Sequence, residues 1–432
     1  MLPGFPGDQI TPDQAPPLAL PLSFFFVGML YLLSSGPYII IYYDTVLVSN
    51  WMPVTLGFTH FGTLGFLGSI MMGAFYQMTP VVAGKPVPFI KAGYATLFFH
   101  TAGTALFITG LISLSQPILK AGLIIEGIAL VIFLVPTLTA VFTAPTKHPS
   151  VTGMRLALLS LLLTLVLGTV LGLAHLGIQI PGLRTSWFQT HITIAVFGWI
   201  GTLIIAVSWQ VIPMFYMTPY YNAKGMRTTI RIQIFLLVLL LGSLVFSITT
   251  QWKLGLDLAS WGYMVLVWFA HPVITLSHIA KRRRKNKDGS LLFWKLGLLT
   301  ALTCLPVSVL VFYNSRTSFP LLLGWLAIWG WAGSIVHGML YRIIPFLIWF
   351  HKFSHLVGLQ MVPSMKSLLP EKQITLAFVL HLLTLFLGTA AILTTHTILI
   401  ISTAISLSLT GFILLDNAVM ALLTARRAGS NF

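Results

Sequence analysis

Charged side chains are scarce in this sequence. Lys and Arg number 24, Asp and Glu number only 8, and together they make up 7% of the 432 residues, whereas 57% are hydrophobic. A water-soluble domain carries about a quarter of its residues as charged side chains. The composition therefore excludes a soluble enzyme or binding domain and indicates a protein whose solvent is the lipid bilayer.

Cysteine is almost absent, since Cys304 is the single one and falls inside an apolar run. Disulfide frameworks, zinc knuckles and thiolate-bound iron–sulfur clusters need several cysteines, so the sequence excludes them. It also contains no glycine-rich phosphate loop and no nucleophile motif. Any metal ion or haem must therefore be held by His, Met or the backbone.

Apolar runs of about 20 residues, the length that crosses a hydrocarbon core as a helix, recur along nearly the whole chain. The predicted fold class is therefore all-α integral membrane, with about twelve transmembrane helices in a single domain over 20–425. Cytoplasmic segments are predicted over 1–19 and 426–432. The predicted spans are 20–43, 55–80, 91–113, 119–141, 154–176, 187–213, 231–249, 258–280, 291–313, 320–345, 374–396 and 398–425.

Basic residues are distributed unevenly between the connections. All but four of the Lys and Arg residues fall in or next to the connections after even-numbered spans or at the C-terminus, the exceptions being Lys120, Arg184, Lys253 and Arg316. Because connections rich in Lys and Arg stay in the cytoplasm, both termini are predicted to be cytoplasmic in a bacterial inner membrane. The basic run 281–285 then fixes orientation and contacts anionic lipid, and no nucleic-acid partner is expected.

An internal repeat relates the second, sixth and tenth spans. Its first glycines are Gly65, Gly198 and Gly330, which lie 133 and 132 residues apart. Close helix packing explains each glycine individually, and the closing proline is expected to end each helix. Three copies in register also require a common ancestral unit, so we predict three pseudo-symmetric four-helix repeats over roughly 20–145, 150–280 and 290–425. The copies read Gly65-Phe66, Gly68-Ser69, Tyr76-Gln77, Pro80; Gly198-Trp199, Gly201-Thr202, Trp209-Gln210, Pro213; and Gly330-Trp331, Gly333-Ser334, Tyr341-Arg342, Pro345.

This architecture resembles subunit I of the haem-copper oxidases, in which three four-helix arcs make spans 2, 6 and 10 equivalent. The segment 76–84 is similar to the end of that family's second helix, and His60 lies where the family places a haem ligand. The motif is closest to the NnrS-type haem and copper membrane proteins, whose second-helix pattern is similar to His60, Gly65-Phe66, Gly73, Pro80 and Gly84.

The resemblance implies a haem b, with copper as a second candidate cofactor, and a role in electron transfer or nitric oxide and respiratory metabolism. Electrons would come from a quinol or a cytochrome c, and other subunits of a membrane complex are candidate partners. If the protein is catalytic, the resemblance implies an oxidoreductase.

Departures from the oxidase pattern limit this expectation. The seventh span, 231–249, has no histidine, and segment 321–326 has none where the oxidases carry His-x-His. A complete proton-pumping oxygen reductase is therefore not expected. Two alternatives stay open on the same scaffold: a transporter or metal- or haem-handling assembly factor, and a non-catalytic subunit of a respiratory complex.

Histidine depth sorts the candidate ligands. His60 and His191 lie five and seven residues before the first glycine of their copies, so their depths differ by about 3 Å at the helical rise. His337 lies about 18 Å deeper than His60 on the same register. Since imidazole is the commonest protein ligand of haem iron and copper, His60 and His191 are the predicted cofactor ligands, with His337 as a third candidate.

A metal ion is predicted at the same outer level, with His175 joining His60 and His191. The alternative for each histidine is a hydrogen bond to a nearby backbone carbonyl. His100, His271 and His337 form a second candidate set, on depth alone.

Two carboxylates fall inside spans: Glu126, and Asp416 beside Asn417. Ionisable groups in a bilayer are costly to bury and are often functional, so both are candidates for a proton relay. The alternative is a neutral acid hydrogen-bonded across a helix interface.

Overall fold

The computed structural model describes residues 15–283, 285–314 and 316–429. Most of the predicted N-terminal segment, Arg284 of the basic run and the last three residues lie outside them. The protein is a multi-pass helical membrane protein, and twelve helices within these ranges are long and apolar enough to span a bilayer. They are α1 Ala19–Ile41, α2 Pro53–Ala83, α3 Ala92–Ser113, α4 Gln116–Phe142, α5 Pro149–His175, α6 Arg184–Tyr216, α7 Ala223–Thr250, α8 Leu254–Ala280, α9 Gly289–Tyr313, α10 Ser318–Leu356, α11 Glu371–Thr394 and α12 Thr397–Ala428.

The twelve predicted spans are confirmed, but several helices run further than the apolar runs. Helix α7 begins at Ala223 rather than at 231, because the Asn222 side chain caps it by accepting a hydrogen bond from the Lys224 N–H. Charged residues end the apolar run there without ending the helix.

The prediction that proline ends the repeated helices is wrong. Pro80, Pro213 and Pro345 all lie inside helical segments, which continue past them. A proline removes one backbone hydrogen bond, and neighbouring helices and side chains make that loss tolerable in membrane helices.

The chain divides into two compact units. The first unit covers Phe75–Lys285 and contains α3 to α8. The second unit covers Pro16–Ala74 and the chain from Asn286 onward, and contains α1 and α9 to α12. Helix α2 contributes its residues up to Ala74 to the second unit and the remainder to the first.

Each of the three repeated helices contains an eight-residue π-helical segment. The segments are Phe61–Gly68 in α2, Ile194–Gly201 in α6 and Leu326–Gly333 in α10. All three end on the second glycine of the repeated motif, so the distortion recurs at one register. Extended π-helix is rare and occurs frequently at functional sites.

The residue that follows a π-helical segment helps to hold it. The Thr202 hydroxyl donates to the Phe197 carbonyl at 3.0 Å, and Ser334 lies 3.5 Å from the Trp329 carbonyl. Each contact reaches back five residues, which is the spacing of π-helical hydrogen bonds.

The first glycines of the motif make room for a neighbouring helix. A Cβ atom at Gly65 would lie 2.6 Å from Tyr31 of α1, at Gly198 2.9 Å from Ser160 of α5, and at Gly330 2.5 Å from Thr300 of α9. These distances confirm that the glycines serve close packing. In each case the partner is the first helix of a predicted repeat, which agrees with the proposed periodicity; the pseudo-symmetry itself stays a prediction.

Candidate functional site

Two fully buried histidines meet inside the second unit. His337 on α10 and His381 on α11 have no exposed surface, and their ring centroids lie 5.1 Å apart with nearly perpendicular planes. We call them the histidine pair. Each sits well inside a membrane-spanning helix, where an ionisable side chain is a candidate functional group.

The ring nitrogens of the pair are poorly satisfied. Among the described residues, neither nitrogen of His337 has a hydrogen-bond partner, and Nδ1 of His381 has none. Nε2 of His381 lies 2.7 Å from the Ser334 hydroxyl. A buried polar atom without a partner costs about 1–3 kcal/mol, so three such nitrogens in one place require an explanation.

Aromatic rings enclose the pair. Phe293 lies 4.7 Å from the His337 ring and 5.2 Å from the His381 ring, Tyr341 stacks on His337 at 5.4 Å, and Trp329 lies 4.3 Å from His381. Such a wall excludes water and lipid headgroups from the imidazoles. It leaves the histidines as the principal Lewis bases of the cluster.

Helical spacing explains how α10 builds this site. Ser334, His337 and Tyr341 are three and four residues apart, so they share one face of the helix. Tyr341 continues the polar row by accepting a hydrogen bond from the Asn417 side chain of α12 at 3.2 Å. Sequence reasoning named His337 but missed His381. The signal for it was present, since His381 is an ionisable residue in the interior of an apolar run.

His60 is half-buried, and its Nδ1 lies 2.7 Å from the Leu56 carbonyl of its own helix. This is the hydrogen bond to a nearby backbone carbonyl that is the alternative to a ligand role. It is also the arrangement in which metal-ligating imidazoles are commonly oriented, because a proton on Nδ1 leaves the lone pair on Nε2.

His191 and His175 both belong to the first unit. The His191 ring packs onto Gly168 of α5, where an added Cβ would lie 3.1 Å from its Cε1 atom. His175 is exposed at the end of α5, seven residues beyond Gly168 and therefore about 10 Å further along the helix. Within the described ranges, no three His, Cys, Asp or Glu side chains are grouped so that they could hold a metal ion.

Glu126 is buried between α3 and α4 and has two partners. Its Oε1 lies 2.7 Å from Nδ1 of His100, and its Oε2 accepts a 3.1 Å hydrogen bond from Thr104. Gly103 allows this approach, because a Cβ there would lie 2.5 Å from the Glu126 backbone nitrogen. The arrangement suits both a proton-relay pair and a structural hydrogen bond across the helix interface.

Asp416 and His271 belong neither to the histidine pair nor to the His100–Glu126 contact. Asp416 is exposed on α12, whereas its neighbour Asn417 is buried and bonded to Tyr341. His271 in the first unit is buried, with Nε2 3.1 Å from the Ser208 hydroxyl. The second candidate set, His100, His271 and His337, therefore does not share one environment, because each of the three histidines has different neighbours.

No family model matches the chain, and no curated protein is similar to it in sequence. Its chemistry has to be read from its own side chains.

The histidine pair does not fit a haem. Two axial imidazoles stand on opposite faces of a porphyrin, with ring centres about 6 Å apart and the macrocycle between them. Here the rings lie 5.1 Å apart, and Phe293 packs against both.

Proposed function

We propose that the second unit binds a copper ion at His337 and His381, and that the protein works in electron transfer or metal handling within the membrane. The observation that supports this proposal is the meeting of two fully buried imidazoles, three of whose ring nitrogens have no hydrogen-bond partner among the described residues.

The separation of the rings suits two ligands of one ion. A metal lies about 2.0 Å from a ligating imidazole nitrogen, so its distance to the ring centre is about 3.1 Å. Two such rings at a tetrahedral angle have centres about 5 Å apart. The centroids of His337 and His381 are 5.1 Å apart.

Ser334 selects the nitrogen that His381 offers. If the serine hydroxyl donates to the Trp329 carbonyl, it accepts a hydrogen bond from Nε2–H of His381, and the lone pair of this imidazole then lies on Nδ1. Second-shell partners of this kind fix the tautomer and orientation of metal ligands. The π-helical segment therefore takes part in the site, since it brings the Trp329 carbonyl to Ser334.

Copper is the metal we favour. Nitrogen ligands bind it more tightly than the other divalent first-row metals, and the pair adds no carboxylate or thiolate that would favour calcium, magnesium or an iron–sulfur cluster. When bound, copper supplies one-electron redox chemistry. His337 and His381 would hold it, the aromatic rings would keep water from it, and Ser334 would orient the His381 imidazole.

Haem b is the second candidate cofactor, at His60 or His191. The His60 Nδ1 contact with the Leu56 carbonyl favours a lone pair on Nε2, and Gly168 leaves space that the His191 ring uses. The resemblance to oxidase-like proteins adds the expectation of a quinol or cytochrome c donor and of a role in nitric oxide or respiratory metabolism. Under this proposal the same orientation applies, with both termini cytoplasmic in a bacterial inner membrane.

Metal analysis tests the proposal. The protein is purified in detergent from copper-supplemented cells, and copper and iron are measured for the wild type and for His337→Ala, His381→Ala and His396→Ala. The control residue, His396, is exposed between α11 and α12. We expect near-stoichiometric copper in the wild type and control, and loss of most of it in the other two. Equal copper contents in all four proteins would contradict the copper site.

The haem candidate has its own measurement. A reduced-minus-oxidised absorption spectrum of the purified protein should show the Soret and α bands of haem b, and His60→Ala or His191→Ala should remove or shift them. Absence of the bands in protein that still binds copper would exclude haem while leaving the histidine pair as the site.

A further inference from the structure

A charged pocket of about 230 Å³ opens at one end of the second unit, where α9 and α11 begin and where α10 carries Pro345. It shares one wall residue with the surroundings of the histidine pair, since Tyr341 stacks on His337 and also lines the pocket. Its polar lining consists of Asn286, Lys287, Tyr341, Arg342, Lys366 and Glu371.

The two carboxylates near the pocket have partners of their own. Asp288 forms an ion pair with Arg342, whose Nε also donates to the Ser290 hydroxyl at 2.8 Å. The Glu371 carboxylate accepts a hydrogen bond from the backbone N–H of Gly289. Both acids are therefore engaged in joining the start of α9 to α10 and α11.

The lysines leave the pocket with excess positive charge. Within the described ranges, neither Lys287 nor Lys366 forms an ion pair. The first turns of α9 and α11 add the positive ends of two helix dipoles. Lys287, Lys366 and Arg342 carry three positive charges against the two carboxylates of Asp288 and Glu371, which leaves a net charge of +1 at the cavity. Together with the two helix N-termini, this charge favours an anion.

Apolar side chains complete the wall. Leu369 and Ile374 are buried beside the charged groups, and Met365 and Pro345 also line the cavity. The pocket lies at the ends of membrane-spanning helices, which is the level of lipid headgroups. A ligand with a phosphate group and adjacent apolar atoms matches this combination.

We propose that this pocket binds a phosphate group, with Lys287 and Lys366 as its principal ligands and Arg342 as a positioned third cation. The group can belong to the headgroup of an anionic lipid or to a soluble phosphate compound. Arg342 is held in place by Asp288 and Ser290, so its charge is fixed before the ligand arrives.

A contact equivalent to that of Arg342 with Asp288 and Ser290 recurs in the first unit, but there the side chain is uncharged. Gln210, at the position equivalent to Arg342, lies 3.1 Å from Nδ1 of His148 and 3.5 Å from the Ser150 hydroxyl, at the start of α5. His148 and Ser150 stand in the same relation to α5 as Asp288 and Ser290 do to α9. The second unit alone places an arginine there, so the cationic site is particular to it.

Two measurements on the full chain in detergent test the proposal: native mass spectrometry detects bound ligand, and thermal unfolding measures the stabilisation that the ligand produces. The probes are phosphatidylglycerol, phosphatidylcholine and inorganic phosphate. The variant Lys287→Ala/Lys366→Ala removes the pocket lysines, and Lys91→Ala/Lys224→Ala removes two exposed lysines at the starts of α3 and α7, so that the net charge is matched.

We expect at least one of the phosphate-bearing probes to bind the wild type and the control with equal affinity. The same probe should bind the pocket variant at least about tenfold more weakly. Preference for phosphatidylglycerol over phosphatidylcholine, with no stabilisation by inorganic phosphate, assigns the group to lipid. Stabilisation by inorganic phosphate that the pocket variant loses assigns it to a soluble compound. Binding that falls equally in both double variants, or that neither variant changes, would overturn the proposal.

Discussion

Ser334 and His381 join α10 to α11 through a contact of 2.7 Å between the serine hydroxyl and Nε2 of the imidazole. The serine immediately follows the π-helical segment Leu326–Gly333, and its hydroxyl also lies 3.5 Å from the Trp329 carbonyl. One small side chain therefore links a distortion of the backbone to the orientation of a buried histidine.

Replacing Ser334 by Ala should weaken copper binding without removing either histidine. Loss of a second-shell partner typically lowers metal affinity about 10–100-fold. The measurement is a competition titration with a chelator of known affinity. Ser308→Ala is the matched control, because Ser308 on α9 is buried and donates a hydrogen bond to the Leu305 carbonyl of its own helix. Equal affinities in the two variants would show that Ser334 does not position a ligand.

The His100–Glu126 contact should stabilise the first unit. Replacing Glu126 by Ala leaves the His100 nitrogen and the Thr104 hydroxyl without their acceptor, with an expected loss of about 1–3 kcal/mol of unfolding free energy. Glu126→Gln keeps an acceptor oxygen and should lose less. Unfolding in a denaturing detergent measures the unfolding free energies of the two Glu126 variants. A double-mutant cycle with His100→Ala isolates the coupling energy between His100 and Glu126. A coupling energy near zero would contradict a stabilising contact.

Replacing Gly122 by Ala should destabilise the protein, although alanine normally favours a helix over glycine. A Cβ at this position of α4 would lie 2.4 Å from the backbone nitrogen of Phe107 on α3, so Gly122→Ala must push the two helices apart. We expect a clear loss of thermal stability, in the overpacking range of about 1–3 kcal/mol. Gly242→Ala on α7 is the control, since no atom of the described residues lies within 4 Å of its added Cβ. It should be neutral or slightly stabilising, because alanine favours helix over glycine.

Acidification should destabilise the start of α5 through His148. Partial burial lowers the pKa of His148 below its ordinary value of 6.5. The unfolded chain then binds the proton more readily than the folded chain, so this contribution to stability is present above pH 6.5 and is lost as the pH falls below it. The Nδ1 atom also accepts the hydrogen bond of the Ser150 N–H, which protonation removes.

The variant His148→Asn tests this dependence. Asparagine is a good helix cap that does not titrate, so the fall in melting temperature between pH 7.5 and pH 5 should be smaller than in the wild type. The difference between the two pH profiles isolates His148 from the other histidines. Parallel profiles would show that its protonation is not linked to unfolding.

Part of the site was accessible from sequence through the repeat. The glycine pattern correctly predicted close approaches at Gly65, Gly198 and Gly330, because small residues at a recurring register of membrane helices allow neighbouring backbones to approach closely. The pattern could not predict the π-helical segments that end on the next glycine. Their wider turns depend on backbone hydrogen bonds between residues five apart, which hydropathy does not encode.

Which histidines meet was likewise beyond the sequence. Depth along a helix is a one-dimensional quantity and can be counted from the motif, so the sequence predicts that His337 and His60 lie at different levels. The rotation of α11 relative to α10 is set by packing of whole helix faces, and it alone brings His381 to His337.

By itself the sequence determined the class of protein, the number of its spans and their approximate limits, because the bilayer requires about twenty apolar residues for each crossing. Tertiary structure decided the chemistry. It placed Asp416 on the surface, paired Glu126 with His100, and enclosed two histidines that have too few hydrogen-bond partners within the described part of the chain. These outcomes depend on contacts between residues distant in the chain, and such contacts follow from three-dimensional packing rather than from local composition.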